Sequence, residues 1–220
     1  MPSSRYERAL RHAGYRAVAG VDEAGRGALF GPVFAAAVVL DPERPIRGLD
    51  DSKALDPERR EVLAERIRER ARAWAVAAAD AFEIDRVNIL EASRRAMQRA
   101  VQQIAGRCDH LLVDAVRLDT KLPQRALIHG DALCFSIAAA SILAKVARDR
   151  ALIAWSRVFP DYELDQNKGY STPEHLAALE RLGPTMLHRF SFEPVRASSK
   201  VTVWTGYPEL QRQRKLFACP

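Results

Sequence analysis

Cysteine is scarce in this chain, which has only Cys108, Cys134 and Cys219 among its 220 residues. The three are far apart and odd in number, and they lack the paired spacing that is typical of a zinc site. Small disulfide-stabilised proteins carry dense sets of cysteines because their cores are too small to hold them together. The sequence therefore argues against a disulfide scaffold and a structural zinc site, and it favours a reducing compartment.

Long apolar runs are also missing. The longest, residues 33–40 and 73–79, fall far short of the about 20 residues that a membrane-spanning helix needs. Residues 1–15 are polar and basic and contain no apolar stretch like that of a signal peptide. We therefore expect a cytoplasmic protein that does not associate with a membrane.

The composition is that of an ordinary globular protein, with 48% hydrophobic and 28% charged residues. The length suits one main domain with an appendage. We expect residues 1–195 to form the domain and residues 196–220, which are polar and basic, to form a tail. The 34 Lys and Arg against 28 Asp and Glu give a net charge of +6, which favours an anionic partner such as nucleic acid.

The first half of the chain predicts strands and helices in alternation. Residues 17–21 and 33–40 read as strands that could pair as a hairpin. Asp56 and Pro57 are typical of a helix start, and apolar residues then recur at helical spacing as far as Trp74. Residues 75–82 are short and apolar enough for a strand, and a stronger helix is predicted from Asp85 to Gly106.

The second half continues the pattern. Residues 111–113 predict a buried strand that ends in Asp114, and the Ala-rich residues 136–150 suit a helix lying close to a sheet. Thr172 and Pro173 are typical of a helix start, and we expect the buried face of that helix to be Leu176, Leu179 and Leu182. Because the first strands follow one another without a long crossover, the fold class is α/β with a mixed central sheet flanked by helices.

Carboxylates mark the ends of two predicted strands. Asp22 and Glu23 follow the first strand and precede a glycine-rich turn, residues 24–27, and Asp114 ends a later strand. The carboxyl ends of strands in open α/β sheets frame the crevice where ligands bind, so these acids converge if their strands are neighbours. Asp131 offers a further oxygen ligand, although an aspartate before a helix is equally typical of a turn or a cap.

Such a group of acids suits a hard divalent cation, and Mg²⁺ prefers carboxylate oxygens. Two ions about 3.5–4 Å apart, bridged by carboxylates, support displacement at phosphorus. The five histidines are scattered, and no nucleophile–histidine arrangement competes with this reading. The glycine spacing of residues 25–31 is wrong for a dinucleotide-binding loop, and the preceding acids would repel a pyrophosphate.

The ordered motifs resemble those of type 2 ribonuclease H (ribonuclease HII) from about residue 15 to residue 195. Each block is weak alone, but the ordered set is specific. The blocks are GVDEAGRG at 20–27, GPV at 31–33, DSK at 51–53, LVD at 112–114, GD at 130–131, SIAAASILAKV at 136–146 with Arg148 and Asp149, Gly169-Tyr170 with His175, His188-Arg189, and Ser191-Phe192.

The resemblance implies a ribonuclease H-like fold with a small helical C-terminal region inside residues 1–195. It implies an endonuclease that cuts the RNA strand of RNA–DNA hybrids, and that cuts 5′ of single ribonucleotides in duplex DNA to leave 3′-hydroxyl and 5′-phosphate ends. It further implies a catalytic metal site of Asp22, Glu23, Asp114 and Asp131 that holds two Mg²⁺ or Mn²⁺ ions. We expect the enzyme to act as a monomer.

Substrate contacts are implied for five further residues: Gly25, Arg26, Gly27, Lys53 and Tyr170. Glycines allow close backbone approach, so the turn is expected to read the ribose 2′-hydroxyl, and Tyr170 is expected to stack on the next, deoxyribose sugar.

Other positive side chains, Lys145, Arg148 and Arg189, are candidate phosphate contacts. One departure from the family pattern lies beside the acids, where Ala115 replaces a common glycine. Two alternatives stay open: a related nuclease such as a type 3 ribonuclease H or a junction resolvase, and a non-catalytic nucleic-acid-binding module.

Overall fold

The centre of the molecule is a mixed five-stranded sheet in a computed structural model that describes residues 2–199. Strands β1 (Val18–Ala24) and β2 (Val33–Val39) form an antiparallel hairpin, and β3 (Ala73–Ala79) pairs antiparallel with β2. On the other side, β4 (His110–Asp114) is parallel to β1, and β5 (Gln124–Leu127) is parallel to β4. The strand order is therefore β3-β2-β1-β4-β5.

Helices cover both faces of the sheet. Helices α3 (Ala81–Val87) and α4 (Ile89–Gln103) lie on one face, where Met97 packs against Ala35 and Ala37 of β2. Helices α2 (Pro57–Arg70) and α6 (Phe135–Ser156) lie on the other, where Leu143 packs near Ala36. Because side chains of a strand alternate between faces, one apolar run supplies both cores.

Small residues bring α6 into close contact with β1. A Cβ on Gly20 would lie 2.0 Å from the carbonyl carbon of Ser136, so only glycine fits at this strand position. Asp22 is two residues further along β1 and therefore points to the same face of the sheet. The approach of α6 thus places the Ala-rich helix directly behind the first acidic residue.

A third cluster of buried side chains forms the C-terminal region. Its elements are a 3₁₀ turn (Pro160–Tyr162) and the helices α7 (Leu164–Asn167), α8 (Pro173–Leu182) and α9 (Glu193–Ser198). Phe30, which follows the glycine turn, packs in this cluster with Leu152, Leu179 and Val195. The region is therefore anchored to the segment that joins β1 to β2.

The structure confirms the mixed sheet, the hairpin, the strand before Asp114 and the Ala-rich helix, which continues six residues beyond the predicted end at 150. The side chain of Asp56 accepts a hydrogen bond from the N–H of Arg59, as expected for a cap. Trp74 was assigned wrongly, because α2 ends at Arg70 and Trp74 belongs to β3.

Other assignments in the helices were also wrong. Asp85 does not begin a helix: Asp80 caps α3, and Asn88, with φ 71°, caps a separate α4. In α8, Leu176 and Leu182 are 39% and 43% exposed, and the buried side chains are His175, Ala178 and Leu179.

Two short elements had no sequence signal strong enough to predict: α1 (Arg5–His12) and α5 (Gly130–Leu133). The edge strand β5 is mostly exposed and lacks apolar alternation, so it was missed as well.

Helix α9 runs past residue 195, and residues 200–220 of the predicted tail lie outside the described part of the chain. The predicted domain boundary stays a prediction. No helix among residues 2–199 is both long and apolar enough to cross a bilayer.

Candidate active site

Asp22 and Asp114 lie side by side at one edge of the sheet. Strands β1 and β4 are adjacent and parallel, and their register pairs Val21 with Val113, the residues immediately before the two acids. The expectation that these strand ends converge is therefore confirmed. Glu23 follows Asp22 on β1, and Asp131 lies on α5, which begins beside the end of β4.

Asp22 is the most enclosed of the four acids, with 4% of its surface exposed. One carboxylate oxygen accepts a hydrogen bond of 2.7 Å from the N–H of Glu23, and Ser141 of α6 hydrogen-bonds the same side chain. Burial raises the pKa of Asp22 well above its usual range, and the charges of Glu23 and Asp114 raise it further. A negative charge at this position therefore lacks sufficient compensation within the protein.

Glu23 is turned toward the glycine-rich turn. Its Oε1 accepts a hydrogen bond from Nη1 of Arg26 at 3.2 Å, in an ion pair whose arginine is partly exposed. Burial raises the pKa of Glu23, and Arg26 partly offsets that shift. The same arginine that lies in the turn thus holds one acid of the site.

Asp114 and Asp131 are joined through the start of α5. The N–H of Gly130 donates to Oδ1 of Asp114 at 2.7 Å, and a Cβ on Gly130 would lie only 2.5 Å from Cδ1 of Ile137. Burial raises the pKa of Asp114, the Gly130 N–H opposes that shift, and the charge of Asp131 adds to it. Asp131 accepts from the N–H of Ala132 at 2.9 Å.

We call these four acids, Asp22, Glu23, Asp114 and Asp131, the carboxylate cluster. Across residues 2–199 no three carboxylate, histidine or cysteine side chains already surround a single point. Each acid bonds instead to a nearby main-chain N–H, a hydroxyl or Arg26. The cluster is brought together by the fold, but its oxygens face local donors rather than a common centre.

The glycine turn after β1 is shaped by a buried arginine. Gly25 has φ 94°, which favours glycine, and a Cβ there would lie 2.4 Å from Nε of Arg148. A Cβ on Gly27, by contrast, would meet no protein atom within 4 Å. The protein itself therefore requires Gly25, whereas Gly27 faces open space that a ligand can occupy.

Tyr170 lies next to this turn because the two segments are bonded together. The carbonyl of Gly169 accepts hydrogen bonds from the N–H groups of Leu29 at 2.7 Å and Phe30 at 3.3 Å. The ring of Tyr170 has its centroid 5.6 Å from the guanidinium of Arg148 and 6.0 Å from Nζ of Lys145. The half-buried ring thus lies close to the segment that follows the turn.

Lys53 is exposed in a turn that is tied to the carboxylate cluster through serines. The hydroxyls of Ser52 and Ser141 are 3.0 Å apart, and Ser141 in turn contacts Asp22. The charge of Lys53 acts to lower the pKa of Asp114, so its ammonium group lies near the acids. Lys53 is therefore a cation exposed at the rim of the site.

A family model for ribonuclease HII matches residues 19–195. A ribonuclease HII of Solibacter usitatus (strain Ellin6076) is 66% identical over 194 residues, which is 88% of this chain and 85% of the relative. This chain belongs to the ribonuclease HII family. It is therefore an endoribonuclease, a hydrolase that acts on the RNA strand of RNA–DNA hybrids.

Solved structures agree with the ribonuclease HII assignment. The crystal structure of ribonuclease H2 from Pyrococcus horikoshii OT3 is 28% identical with a TM-score of 0.71, covering 83% of this chain and 97% of that one. Bst-RNase HIII, solved in complex with Mn²⁺, has a TM-score of 0.63 over 86% of this chain and 71% of that one. At 20% identity it shows a shared fold. The family assignment sets aside the type 3 ribonuclease, junction resolvase and non-catalytic alternatives.

Two of the predicted phosphate contacts of this ribonuclease HII, those of Arg148 and Arg189, were predicted wrongly. Arg148 and Arg189 are completely buried and donate to main-chain carbonyls instead. Burial and the neighbouring charge of Arg148 lower the pKa of Arg189 to about 9. Lys145 is partly exposed and forms an ion pair of 2.7 Å with Asp149, and its role with phosphate stays a prediction.

Sequence reasoning missed several polar residues that hydrogen-bond to the acids or to the neighbouring motif segments of this ribonuclease HII. Ser141 stands out in an Ala-rich helix, and a buried hydroxyl among alanines is a signal that could have been used. Asp85 accepts hydrogen bonds from the N–H groups of Phe190 and Ser191, both at 2.8 Å, and so fixes the last motif block. His175 and His188 form a buried pair, with their Nε2 atoms 3.1 Å apart.

Proposed function

We propose that this ribonuclease HII hydrolyses phosphodiester bonds with two divalent ions, Mg²⁺ or Mn²⁺, held by Asp22, Glu23, Asp114 and Asp131. One observation carries the proposal. Asp22 and Asp114 lie side by side on adjacent parallel strands, and burial together with neighbouring carboxylates raises the pKa of both. A cation between them would relieve that repulsion.

The donor set fits hard divalent ions. All four side chains offer carboxylate oxygens, and no thiol or imidazole among the four favours a softer metal. The local partners of the acids are main-chain N–H groups, a serine and one partly exposed arginine, so their side chains can turn without unfolding an element. The Mn²⁺ of Bst-RNase HIII belongs to a protein of the same fold and is consistent with this choice.

When bound, the ions supply charge stabilisation at phosphorus and a water that ionises near neutral pH. The reaction joins a water oxygen to phosphorus and breaks the bond from phosphorus to the upstream O3′, which takes up a proton. The products are a 3′-hydroxyl and a 5′-phosphate, and the cut lies on the 5′ side of the ribonucleotide. Asp22 and Asp114, fixed on adjacent strands, orient the site for this displacement.

The glycine turn and Tyr170 are proposed to identify the ribonucleotide. Gly27 faces open space, so main-chain groups of Gly25, Arg26 and Gly27 can approach the 2′-hydroxyl, which both donates and accepts hydrogen bonds. Lys53, exposed at the rim, suits a phosphate of the same strand. The ring of Tyr170 is proposed to stack on the following deoxyribose and so to detect the RNA–DNA junction.

The direct test uses duplex DNA that contains one ribonucleotide, incubated with Mg²⁺, with Mn²⁺ and with a chelator. We expect cleavage with either ion, none with the chelator, and one cut on the 5′ side of the ribonucleotide. Cleavage in the chelator, or a product that ends in a cyclic phosphate, would contradict the proposed chemistry. The monomeric state and the cytoplasmic location stay predictions.

Tyr170→Ala tests junction recognition. We expect cleavage at a single ribonucleotide to fall by roughly tenfold more than cleavage of a long hybrid, because a value near the lower end of the about 1–3 kcal/mol known for a base on an aromatic ring corresponds to such a loss. Tyr170→Phe keeps the ring and serves as the matched control. Equal losses on both substrates in Tyr170→Ala would argue against a role at the junction.

A further inference from the structure

Arg148 contacts two chain segments beside the glycine turn. From α6, its Nη1 donates to the carbonyl of Pro32 at 2.6 Å, and its Nη2 donates to the carbonyl of Lys168 at 2.8 Å. Nη2 also approaches the carbonyl of Phe30 at 3.3 Å. One side chain therefore bonds the segment after the glycine turn and the segment that carries Tyr170.

The space between these segments is already filled. Gly169 has φ 76°, and a Cβ there would lie 3.1 Å from Phe30 and 3.3 Å from Nη2 of Arg148. On its other side, the Arg148 side chain lies directly behind Gly25. The distance from the glycine turn to the Tyr170 ring is thus set by packing on both sides of one guanidinium.

We propose that Arg148 is a positioning residue that fixes the spacing between the glycine turn and the Tyr170 ring, and thereby sets the preference for a ribonucleotide–DNA junction over a continuous hybrid. The proposal rests on the proposed role of Tyr170 as the junction reader. A turn that reads one sugar and a ring that reads the next must keep a constant separation. Misplacement by about 1 Å is enough to cost as much as a hundredfold in rate.

The chemistry of arginine explains why this residue suits the role. A guanidinium has a planar set of donors that can reach several carbonyls at once, whereas a lysine ammonium is a compact point charge on a flexible stem. The donors of Arg148 go to main-chain carbonyls rather than to a carboxylate, and burial lowers its pKa. Burying a charge in this way is costly, and a hydrophobic side chain would fill the space at lower cost.

The first experiment compares Arg148→Lys with Arg150→Lys. Arg150 is an exposed residue of the same helix that pairs with Glu61 and does not contact either segment, so it is the matched control. The measured quantity is the ratio of cleavage rates on a single-ribonucleotide duplex and a long hybrid. We expect this ratio to fall by roughly tenfold in Arg148→Lys and to stay constant in Arg150→Lys. A simple loss of folded enzyme lowers both rates equally and leaves the ratio unchanged.

The second experiment disturbs the same packing without substituting the arginine. Gly169→Ala places a methyl group against Phe30 and Arg148, whereas Gly106→Ala has nearly the same φ, 78° against 76°, and open space around it. Both variants bear similar backbone strain, so they differ only in the close contacts that the new methyl group makes at residue 169. We expect the substrate ratio to fall in Gly169→Ala alone. This pair decides the question if Arg148→Lys does not fold.

The Tyr170→Ala variant, assayed beside them, separates two kinds of failure. If Tyr170→Ala changes the ratio but Arg148→Lys and Gly169→Ala do not, the positioning role of Arg148 is overturned while the role of Tyr170 stands. If Tyr170→Ala leaves the ratio constant, both proposals are overturned. A substrate ratio in Arg148→Lys equal to that of the natural protein would likewise contradict the need for a guanidinium.

Discussion

Two groups of ionisable side chains lie near the glycine turn, and they are built in different ways. The carboxylate cluster lies at the sheet edge, and its oxygens accept scattered bonds from single N–H groups, a serine and Arg26. The second group, which we call the buried basic cluster, lies beneath the turn and is fully enclosed. Its members are Arg148, Arg189, His175 and His188.

Most polar atoms of the buried basic cluster have partners within the protein, but Nε of Arg148 and Nη2 of Arg189 have none among residues 2–199. Arg189 donates to the carbonyls of Gly31 at 2.9 Å and Arg26 at 2.8 Å, so it holds the turn from below. The N–H of Thr185 donates to Nδ1 of His188 at 2.9 Å, which requires the proton of that neutral ring to be on Nε2. His188 then donates to His175, whose Nδ1 donates to the carbonyl of Tyr170 at 2.9 Å.

This difference in construction matches two proposed roles: catalysis for the carboxylate cluster and support of substrate recognition for the buried basic cluster. Asp22 and Asp114, whose pKa values are raised by burial and by neighbouring acids, are among the proposed ligands of a cation. Arginines and neutral histidines hold the glycine turn and the segment of Tyr170 through bonds to main-chain groups. The enzyme thus combines a proposed ion site with a set of buried contacts that the protein makes by itself.

The largest expected effect comes from removing one acid. Asp114→Asn keeps an oxygen that can accept from the Gly130 N–H but removes the negative charge. We expect cleavage to fall by about a thousandfold or more, because charge stabilisation at phosphorus is worth several kcal/mol. Asp119→Asn, at an exposed aspartate of the following loop, is the control and should retain full activity.

The same variant has a readout that does not depend on activity. Without divalent ions, Asp114→Asn should unfold at a higher temperature than the natural protein, because it relieves repulsion that burial strengthens. Added Mg²⁺ should raise the unfolding temperature of the natural protein by mass action and that of Asp114→Asn much less. Equal shifts in both proteins would mean that Asp114 does not hold the ion.

The two clusters predict opposite responses of stability to pH. A carboxylate with a raised pKa costs stability as pH rises through its folded pKa. Burial lowers the pKa of His188 to about 3, so the pair contributes stability above the unfolded value of about 6.5 that is lost as pH falls toward 3. Each histidine kept neutral contributes a slope of at most about 1.4 kcal/mol per pH unit.

Urea unfolding at pH 7 and at pH 5 gives the loss in the free energy of unfolding on acidification. The contribution of the histidine pair is the difference in this loss between the natural protein and a variant. His188→Gln should be less stable at pH 7 and should lose less stability on acidification than the natural protein. His12→Gln, at an exposed histidine of α1, is the control and should follow the natural protein at both pH values. An unchanged acid slope in His188→Gln would show that the pair is not kept neutral by the fold.

Sequence patterns predicted the carboxylate cluster better than the buried basic cluster, for a physical reason. Acids at the ends of apolar strands converge whenever those strands are neighbours, so Asp22 and Asp114 could be placed before the fold was known. The bonds of Arg148 to Pro32 and Lys168 join residues 116 and 20 positions apart. No local spacing encodes such contacts, and a basic residue in a nucleic-acid enzyme is more readily assigned to phosphate.

The errors in the helices have a similar origin. Periodicity predicted a helix that begins at Asp85, but Asn88 adopts φ 71° and divides the segment into two helices. The break leaves the Asp85 carboxylate at the surface of α3, where it bonds the N–H groups of Phe190 and Ser191. A tertiary contact therefore decided a boundary that helical propensity left open.

The smallest expected effect concerns backbone strain beside the carboxylate cluster. Ala115 follows Asp114 directly and has φ 53°, in the left-handed region that costs a residue with a Cβ roughly 1 kcal/mol. Its N–H donates to the carbonyl of Leu127 at 2.9 Å, which holds it in that conformation. Ala115→Gly should therefore raise the free energy of unfolding by about 0.5–1 kcal/mol, as measured by urea unfolding at pH 7.

The matched control has the opposite sign. Ala13 is exposed and has φ −81°, which suits alanine, so Ala13→Gly should lower the free energy of unfolding by a similar amount through the greater freedom of the unfolded chain. If both glycines destabilise the protein, the turn after Asp114 is not strained. If only Ala115→Gly stabilises it, the strain lies at the edge of the sheet that an ion is proposed to complete.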